Sequence, residues 1–226
     1  MSLPGAWSYS GLKKFKTCPK QFAEVKVYKN FTEPPFTEAT LYGTNFHEAA
    51  ELYVRDGTPL SEAFAYVKPH LDALRSIPGT KHCEYKVGLT EAMEPCAFDA
   101  PGVWCRGVAD LLIVNEEKGV ARVVDYKTGK SAKYADTGQL ELMALCVFKH
   151  FPGVKRVKAG LLFVIANAFP KANYSLEQAP VLWQKWIRDH DRMKLAYKTN
   201  VWNPKPSGLC RKHCVVLSCP HNGRNG

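Results

Sequence analysis

Hydrophobic positions in the first third of the chain recur at helical spacing. In "SYSGLKKFKTCPKQFAEVKVY" (Ser8 to Tyr28), Leu12, Phe15 and Phe22 keep that spacing, interrupted at Cys18-Pro19. Two short helical pieces are predicted, with Pro19 opening the second, where its missing N–H costs little. "NFTEPPFTEAT" reads as a loop because Pro34-Pro35 supports no regular element. "GTNFHEAAELYVRDG" predicts a helix capped by Thr44 and ended by Gly57. "SEAFAYVKPHLDALRSI" predicts another, bent or broken at Pro69.

After Gly79 the period shortens. "HCEYKVGLT" alternates, and "GVWCRGVADLLIVNEE" and "GVARVVDYKT" flank a turn at Glu117-Lys118-Gly119. "RVKAGLLFVIAN" is a further apolar run. These predict strands, the first three joined by hairpins. Before the fourth lies the helix "DTGQLELMALCVFKHF", with Leu140, Ala144 and Val147 on one side, and a last helix is "PVLWQKWIRDHDRMKLAYK". The order, helices followed by β-β-β-α-β and a helix, predicts an α/β fold in which helices flank a mixed sheet.

Composition narrows the functional classes. Among 226 residues no apolar run approaches the ~20 that a membrane span needs, and the start "MSLPGAWSYS" lacks the regions of a signal peptide. A cytoplasmic protein without membrane association is expected (a host cytoplasm, if a phage encodes it). Lys and Arg number 31 against 21 Asp and Glu, a net charge of +10 that favours polyanionic partners, nucleic acid above all. Lys13, Lys14, Lys16, Lys20 and Lys26 cluster near the start, and Lys149, Lys155, Arg156 and Lys158 surround the fourth strand. Trp7, Tyr9 and Phe15 either stack on unpaired bases or fill the core.

Eight cysteines without a secretion signal argue against a disulfide framework. Cys83, Cys96, Cys105 and Cys146 read as small buried hydrophobes. Cys210, Cys214 and Cys219 crowd into ten residues, while Cys18 stands alone near the other end.

The chemistry lies in "ARVVDYKTGK", where a buried strand runs directly into Asp125 and Lys127. Residues two apart on a strand point the same way, so carboxylate and ammonium emerge together. Alone, a D-x-K tripeptide is usually a surface ion pair. Asp110, in "GVADLLIV", falls near Asp125 if the hairpin closes around Glu117–Gly119. Two carboxylates that close resist joint ionisation unless a cation lies between them. Hard oxygen ligands suit Mg²⁺ or Mn²⁺, and Lys127 would then orient water or stabilise charge on a phosphoryl oxygen.

Five segments in order resemble the PD-(D/E)XK nuclease superfamily, in particular its RecB-like branch. That branch includes RecB nuclease domains, the iron–sulfur nucleases of CRISPR spacer acquisition and related phage exonucleases. The segments are "YSGLKKFKTCPKQF", "GTNFHEAAE", "GVADLL", "VVDYKTGK" and "QLELMAL". The resemblance implies a restriction-endonuclease-like core with His47, Asp110 and Asp125 as metal ligands. The Tyr126 carbonyl would complete the coordination, and Lys127 would be the catalytic lysine. Glu84 occupies the place of a further catalytic acid, and Gln139 that of a residue near the scissile phosphate. Met143 stands where the family usually has tyrosine. Glu51, four residues after His47, either orients the imidazole or is an ordinary exposed helix acid.

In iron–sulfur members of the branch, one N-terminal and three C-terminal cysteines hold a [4Fe–4S] cluster. Cys18, Cys210, Cys214 and Cys219 resemble that set, although the C-x3-C-x4-C spacing departs by one residue at each gap. Structural Zn²⁺, with His213 or His221 available as a ligand, is the alternative. The expected organisation is a single nuclease domain over residues 1–226. Residues 36–200 would carry the helical segment and catalytic core, and the terminal segments 7–30 and 201–222 would form a cysteine-clamped subdomain.

The function implied is a metal-dependent DNA exonuclease in recombination, repair or degradation, with a phage or mobile-element origin suggested by the stand-alone chain. A homo-oligomer or a recombination-protein partner stays open. A structure-specific endonuclease is the first alternative. A non-catalytic nucleic-acid-binding module with a vestigial site is the alternative of a different class.

Overall fold

The computed structural model describes residues 5–33 and 37–224, so the loop expected at Pro34-Pro35 lies outside the described residues. Among the described residues the helices are α1 (Tyr9–Thr17), α2 (Pro19–Phe22), α3 (Glu38–Asp56), α4 (Lys68–Arg75), α5 (Gly138–His150) and α6 (Ala179–Thr199). The strands are β1 (Thr80–Leu89), β2 (Pro95–Cys96), β3 (Cys105–Asn115), β4 (Val120–Lys127), β5 (Arg156–Phe163) and β6 (Lys171–Ser175). The chain divides into two compact units, one spanning Thr37–Gln184 and the other combining Met1–Phe36 with Lys185–Gly226.

The first unit is built on a six-stranded sheet of order β2-β1-β3-β4-β5-β6. All neighbours run antiparallel except β4 and β5. A parallel pair needs a crossover connection, and α5 lies within it. On one face, Phe46 and Ala50 of α3 and Leu71 of α4 pack with Leu111 and Ile113 of β3 and Val124 and Tyr126 of β4. The α3 helix begins earlier than the pattern predicts. Thr37 caps it, with Thr37 and Thr40 satisfying each other's backbone amides. The Thr44 hydroxyl, read as the cap, instead donates back to the Thr40 carbonyl at 3.1 Å.

Three further differences have physical causes. Pro69 does not break a helix: a 3₁₀ segment, Glu62–Val67, precedes α4, and Pro69 sits in the first turn of α4, where it removes no needed donor. The α5 helix is buried nearly all round, with Leu142, Met143, Leu145, Cys146 and Phe148 enclosed along with the predicted stripe. Met143 packs onto Gly107, where an added Cβ would lie 3.1 Å from its terminal methyl carbon, so this position is core. Strands β2 and β6 had no sequence expectation. Of the four cysteines read as core, Cys105 and Cys146 are buried and Cys83 and Cys96 only half-buried.

In the second unit, Leu12, Phe15 and Phe22 are buried as the spacing predicts. Phe22 meets Phe15 edge to face with 5.8 Å between ring centroids, and Tyr197 at 6.3 Å. Trp7 is buried and stacks on His190 at 5.4 Å. Trp7 and Phe15 are therefore core residues and not base platforms. Most of the N-terminal lysine cluster is engaged internally. Lys14 and Lys26 both pair with Glu33, Lys16 pairs with Asp189 at 2.5 Å, and Lys20 reaches Glu24 at 3.7 Å. No described helix is long and apolar enough to cross a membrane.

Candidate functional site

The antiparallel register Leu111↔Val124, continued by one position, sets Asp110 of β3 beside Asp125 of β4. Asp110 is further fixed by the Tyr126 amide, which donates to its Oδ2 at 2.6 Å. His47 brings its Nδ1 to 3.5 Å from the same oxygen. Glu84 of β1 completes the group: one ligand atom each from His47, Glu84 and Asp110 lies within 4.8 Å of the others.

Asp125 lies beside this triad rather than within it. Asp125 is 5% exposed. Its Oδ1 accepts from Gln139 Nε2 at 2.5 Å, and its Oδ2 lies 2.5 Å from Lys127 Nζ. That second contact is an ion pair whose geometry leaves Oδ2 without a hydrogen bond. Gln139 Oε1 in turn accepts from Lys127 Nζ at 3.4 Å. The start of α5 and the end of β4 therefore share one polar cluster. Glu51 does not orient His47; it pairs with Arg55 one turn along α3 at 2.5 Å.

Burial pushes the Asp110 carboxyl well above the usual range, the negative charge of Asp125 pushes it further, and the Tyr126 amide opposes both. Asp125 is likewise raised by burial, with Lys127 pulling it back. Glu84 is raised by burial, then by the charges of Glu51 and Asp125. Burial lowers the His47 imidazole, favouring the neutral form that can bind a metal. Three acids that resist joint ionisation and a neutral imidazole match the donor set of a hard divalent cation. The residues present fit such an ion.

Gly43 carries a role that the sequence reading passed over. A Cβ there would lie 3.2 Å from Thr128 Oγ1, so a residue without a side chain lets α3 lie against the end of β4. His47, one turn further on, is thereby brought to the carboxylates. A glycine inside a helical pattern, costing ~1 kcal/mol relative to alanine, was the available signal.

Hard ligands clustered beside an acid–lysine pair, on a mixed sheet flanked by helices, define a site for metal-dependent chemistry on an anionic substrate. The chain belongs to the PD-(D/E)XK nuclease superfamily, whose family model matches residues 6–221, and is a metal-dependent nuclease with a nucleic-acid substrate. It is also similar to a solved structure described as that of SSO0001, at 13% identity and a TM-score of 0.47, covering 98% of this chain and 89% of that one. No curated protein matches it in sequence.

Cys18, Cys210, Cys214 and Cys219 belong to the second unit. Cys214 is raised by burial and further by Cys210, Cys18 and Cys219, all near enough to act on it. Backbone amides point at two of the sulfurs, from Lys205 to Cys18 Sγ at 3.5 Å and from Ser207 to Cys210 Sγ at 3.4 Å. All four thiols are free.

Proposed function

We propose that this nuclease is a Mg²⁺- or Mn²⁺-dependent deoxyribonuclease that removes nucleotides from DNA ends, in recombination, repair or degradation. The observation that carries the reading is the meeting of His47, Glu84 and Asp110 within 4.8 Å, beside the Asp125–Lys127 pair. In this reading those three residues hold the ion, with Asp125 and the Tyr126 carbonyl completing its ligands. The bound ion would supply a Lewis acid that eases deprotonation of water and shields charge on a phosphoryl oxygen.

The chain's own groups do the rest. The Tyr126 amide fixes the rotamer of Asp110, and Gln139 clamps Oδ1 of Asp125 so that Oδ2 faces Lys127. Lys127 holds its ammonium between Asp125 and Gln139, where it can orient the attacking water and meet negative charge developing at phosphorus. No side chain forms a covalent intermediate. The preference for ends rests on the resemblance to the exonucleases of the RecB-like branch.

The same resemblance assigns a [4Fe–4S] cluster to Cys18, Cys210, Cys214 and Cys219. The amides aimed at two of the sulfurs support it, since hydrogen bonds to sulfur are a feature of such sites. The cluster would hold the termini together and take no part in cleavage.

The test is cleavage of end-labelled linear DNA beside a closed circle, with Mg²⁺, Mn²⁺ or EDTA, and with Lys127→Ala as control. Metal-dependent loss of the linear substrates alone, absent in the variant, is expected. Cutting of the circle would make the protein an endonuclease. DNA binding without cleavage by the metal-loaded protein would favour a vestigial site.

A further inference from the structure

Among the described residues, the basic side chains Arg122, Arg156 and Lys158, on β4 and β5, differ from those at the N-terminus in having no carboxylate partner. Arg122 of β4 and Lys158 of β5 are register partners on adjacent parallel strands. Like charges so placed repel and destabilise a sheet, and Arg156 stands one more pleat along the same face. Two adjoining pockets share Arg122 and Lys158. One, of about 210 Å³, adds Lys118, Asn115 and Arg156, and the other, of about 370 Å³, adds Phe169, Lys171 and Asn173. No carboxylate lines either pocket.

The second pocket carries an aromatic. Phe169 is 37% exposed, and its ring edge rests on Gly160, where any Cβ would collide with it. Lys171 Nζ lies 5.1 Å from the ring centroid. An aromatic beside a row of unpaired cations is the combination with which proteins hold single-stranded nucleic acid: the ring takes a base and the cations take phosphates. The candidate metal site uses Asp125 and Lys127 on the opposite face of β4, so neither the metal ligands nor Gln139 belong to this trough.

We propose that the open sheet face formed by Arg122, Lys158, Arg156, Lys171 and Phe169 is a second polynucleotide contact, which binds the phosphates and one base of a single strand. The identity of the ligand rests on the nuclease reading; the existence of an anion site does not. The repulsion between Arg122 and Lys158 is relieved when a phosphate lies between them. Phe169 gives the contact a preference for unpaired bases that cations alone would lack.

The test is the affinity of full-length protein for a fluorescent oligothymidylate, measured in EDTA across a salt series so that nothing is cut. Arg122→Gln combined with Lys158→Gln should weaken binding about tenfold or more and reduce the slope of log K against log salt by roughly 1.4, at roughly 0.7 per cation in a single strand. Phe169→Ala should weaken binding about fivefold with little change in slope, as loss of a stacked base does. If the double variant melts early, Lys158→Gln alone, at an exposed position, should still remove roughly 0.7 of slope. Wild-type affinity and slope in these variants would overturn the proposal, as would a loss confined to duplex DNA. Wild-type cleavage with Mn²⁺ is scored separately: slope loss in a protein that never cleaves would end the nuclease reading and leave the trough standing.

Discussion

Glu84 and Asp110 stand opposite each other in the β1–β3 ladder, at the position between Cys83↔Leu111 and Tyr85↔Ala109 where the pairing lapses. The lapse coincides with a left-handed backbone at Glu84, with φ 47. Beyond it the side-chain alternation shifts, so that the rings of His82 and Tyr85, three residues apart, lie 5.1 Å apart. A strand residue held left-handed costs roughly 1–2 kcal/mol, and here its carboxylate reaches His47 and Asp110.

Replacing Glu84 with Asn should separate stability from metal binding. Asn tolerates the left-handed region better and carries no charge to bury. Glu84→Asn should leave the metal-free protein as stable as wild type or more so, by up to about 1 kcal/mol. Mn²⁺ binding, followed by calorimetry, should weaken by about 10–100-fold, the range seen when the surroundings of a metal ligand are altered.

The raised carboxyls set the pH dependence of the metal-free protein. Folded Asp110, Asp125 and Glu84 keep protons at a pH where the unfolded chain has lost them. The unfolded state then binds fewer protons, so stability falls as pH rises from the ordinary carboxylate range through the folded values. A divalent cation replaces those protons. The gain in melting temperature on adding Mn²⁺ should therefore be larger in mildly alkaline than in mildly acidic buffer, and an equal gain at both would contradict the sign.

Cys210→Ser tests the cysteine clamp. Protein purified without oxygen should be brown, and the variant should lose colour and melt at lower temperature, because metal binding and folding are coupled. A colourless wild type carrying one zinc per chain would assign Zn²⁺ instead, and unchanged melting would mean that the cysteines hold nothing together.

Phe46 supports the site from beneath. It is fully buried, packs edge to face on Tyr126 with ring centroids 5.7 Å apart, and precedes His47 in α3. Phe46→Ala should cost about 3–5 kcal/mol of stability in urea unfolding, the usual loss when a phenyl ring leaves a core.

Most of the element order was legible because apolar spacing changes so clearly after Gly79. The elements that escaped are those with little apolar content. In β6 (Lys171–Ser175) exposed Lys171 and Asn173 alternate with half-buried Ala172 and Tyr174, a period-two pattern without the hydrophobicity that normally announces a strand. The start of α3 was misplaced because Gly43-Thr44 looks like a boundary, whereas the hydroxyls that cap the helix belong to Thr37 and Thr40. At the site, Asp110 and Asp125 could be placed together by counting outward from a hairpin turn. The left-handed backbone at Glu84 could not be read, since glutamate gives no hint of it, and the closeness of His47 depends on helix packing that no local pattern encodes.

The bond from Gln139 to Asp125 has a consequence for timing. It ties β4 to the first turn of α5, inside the connection between β4 and β5, the only parallel neighbours in the described sheet. Parallel pairing must await the ordering of its whole crossover, so it forms late relative to local hairpins. His47, Glu84, Asp110, Asp125 and Lys127 all leave the ribosome before Gln139 and β5 are available to secure them. In the proposed mechanism a nascent chain would thus carry its acids and lysine well before they are aligned, and a destructive activity would be withheld until α5 and β5 have been made and docked.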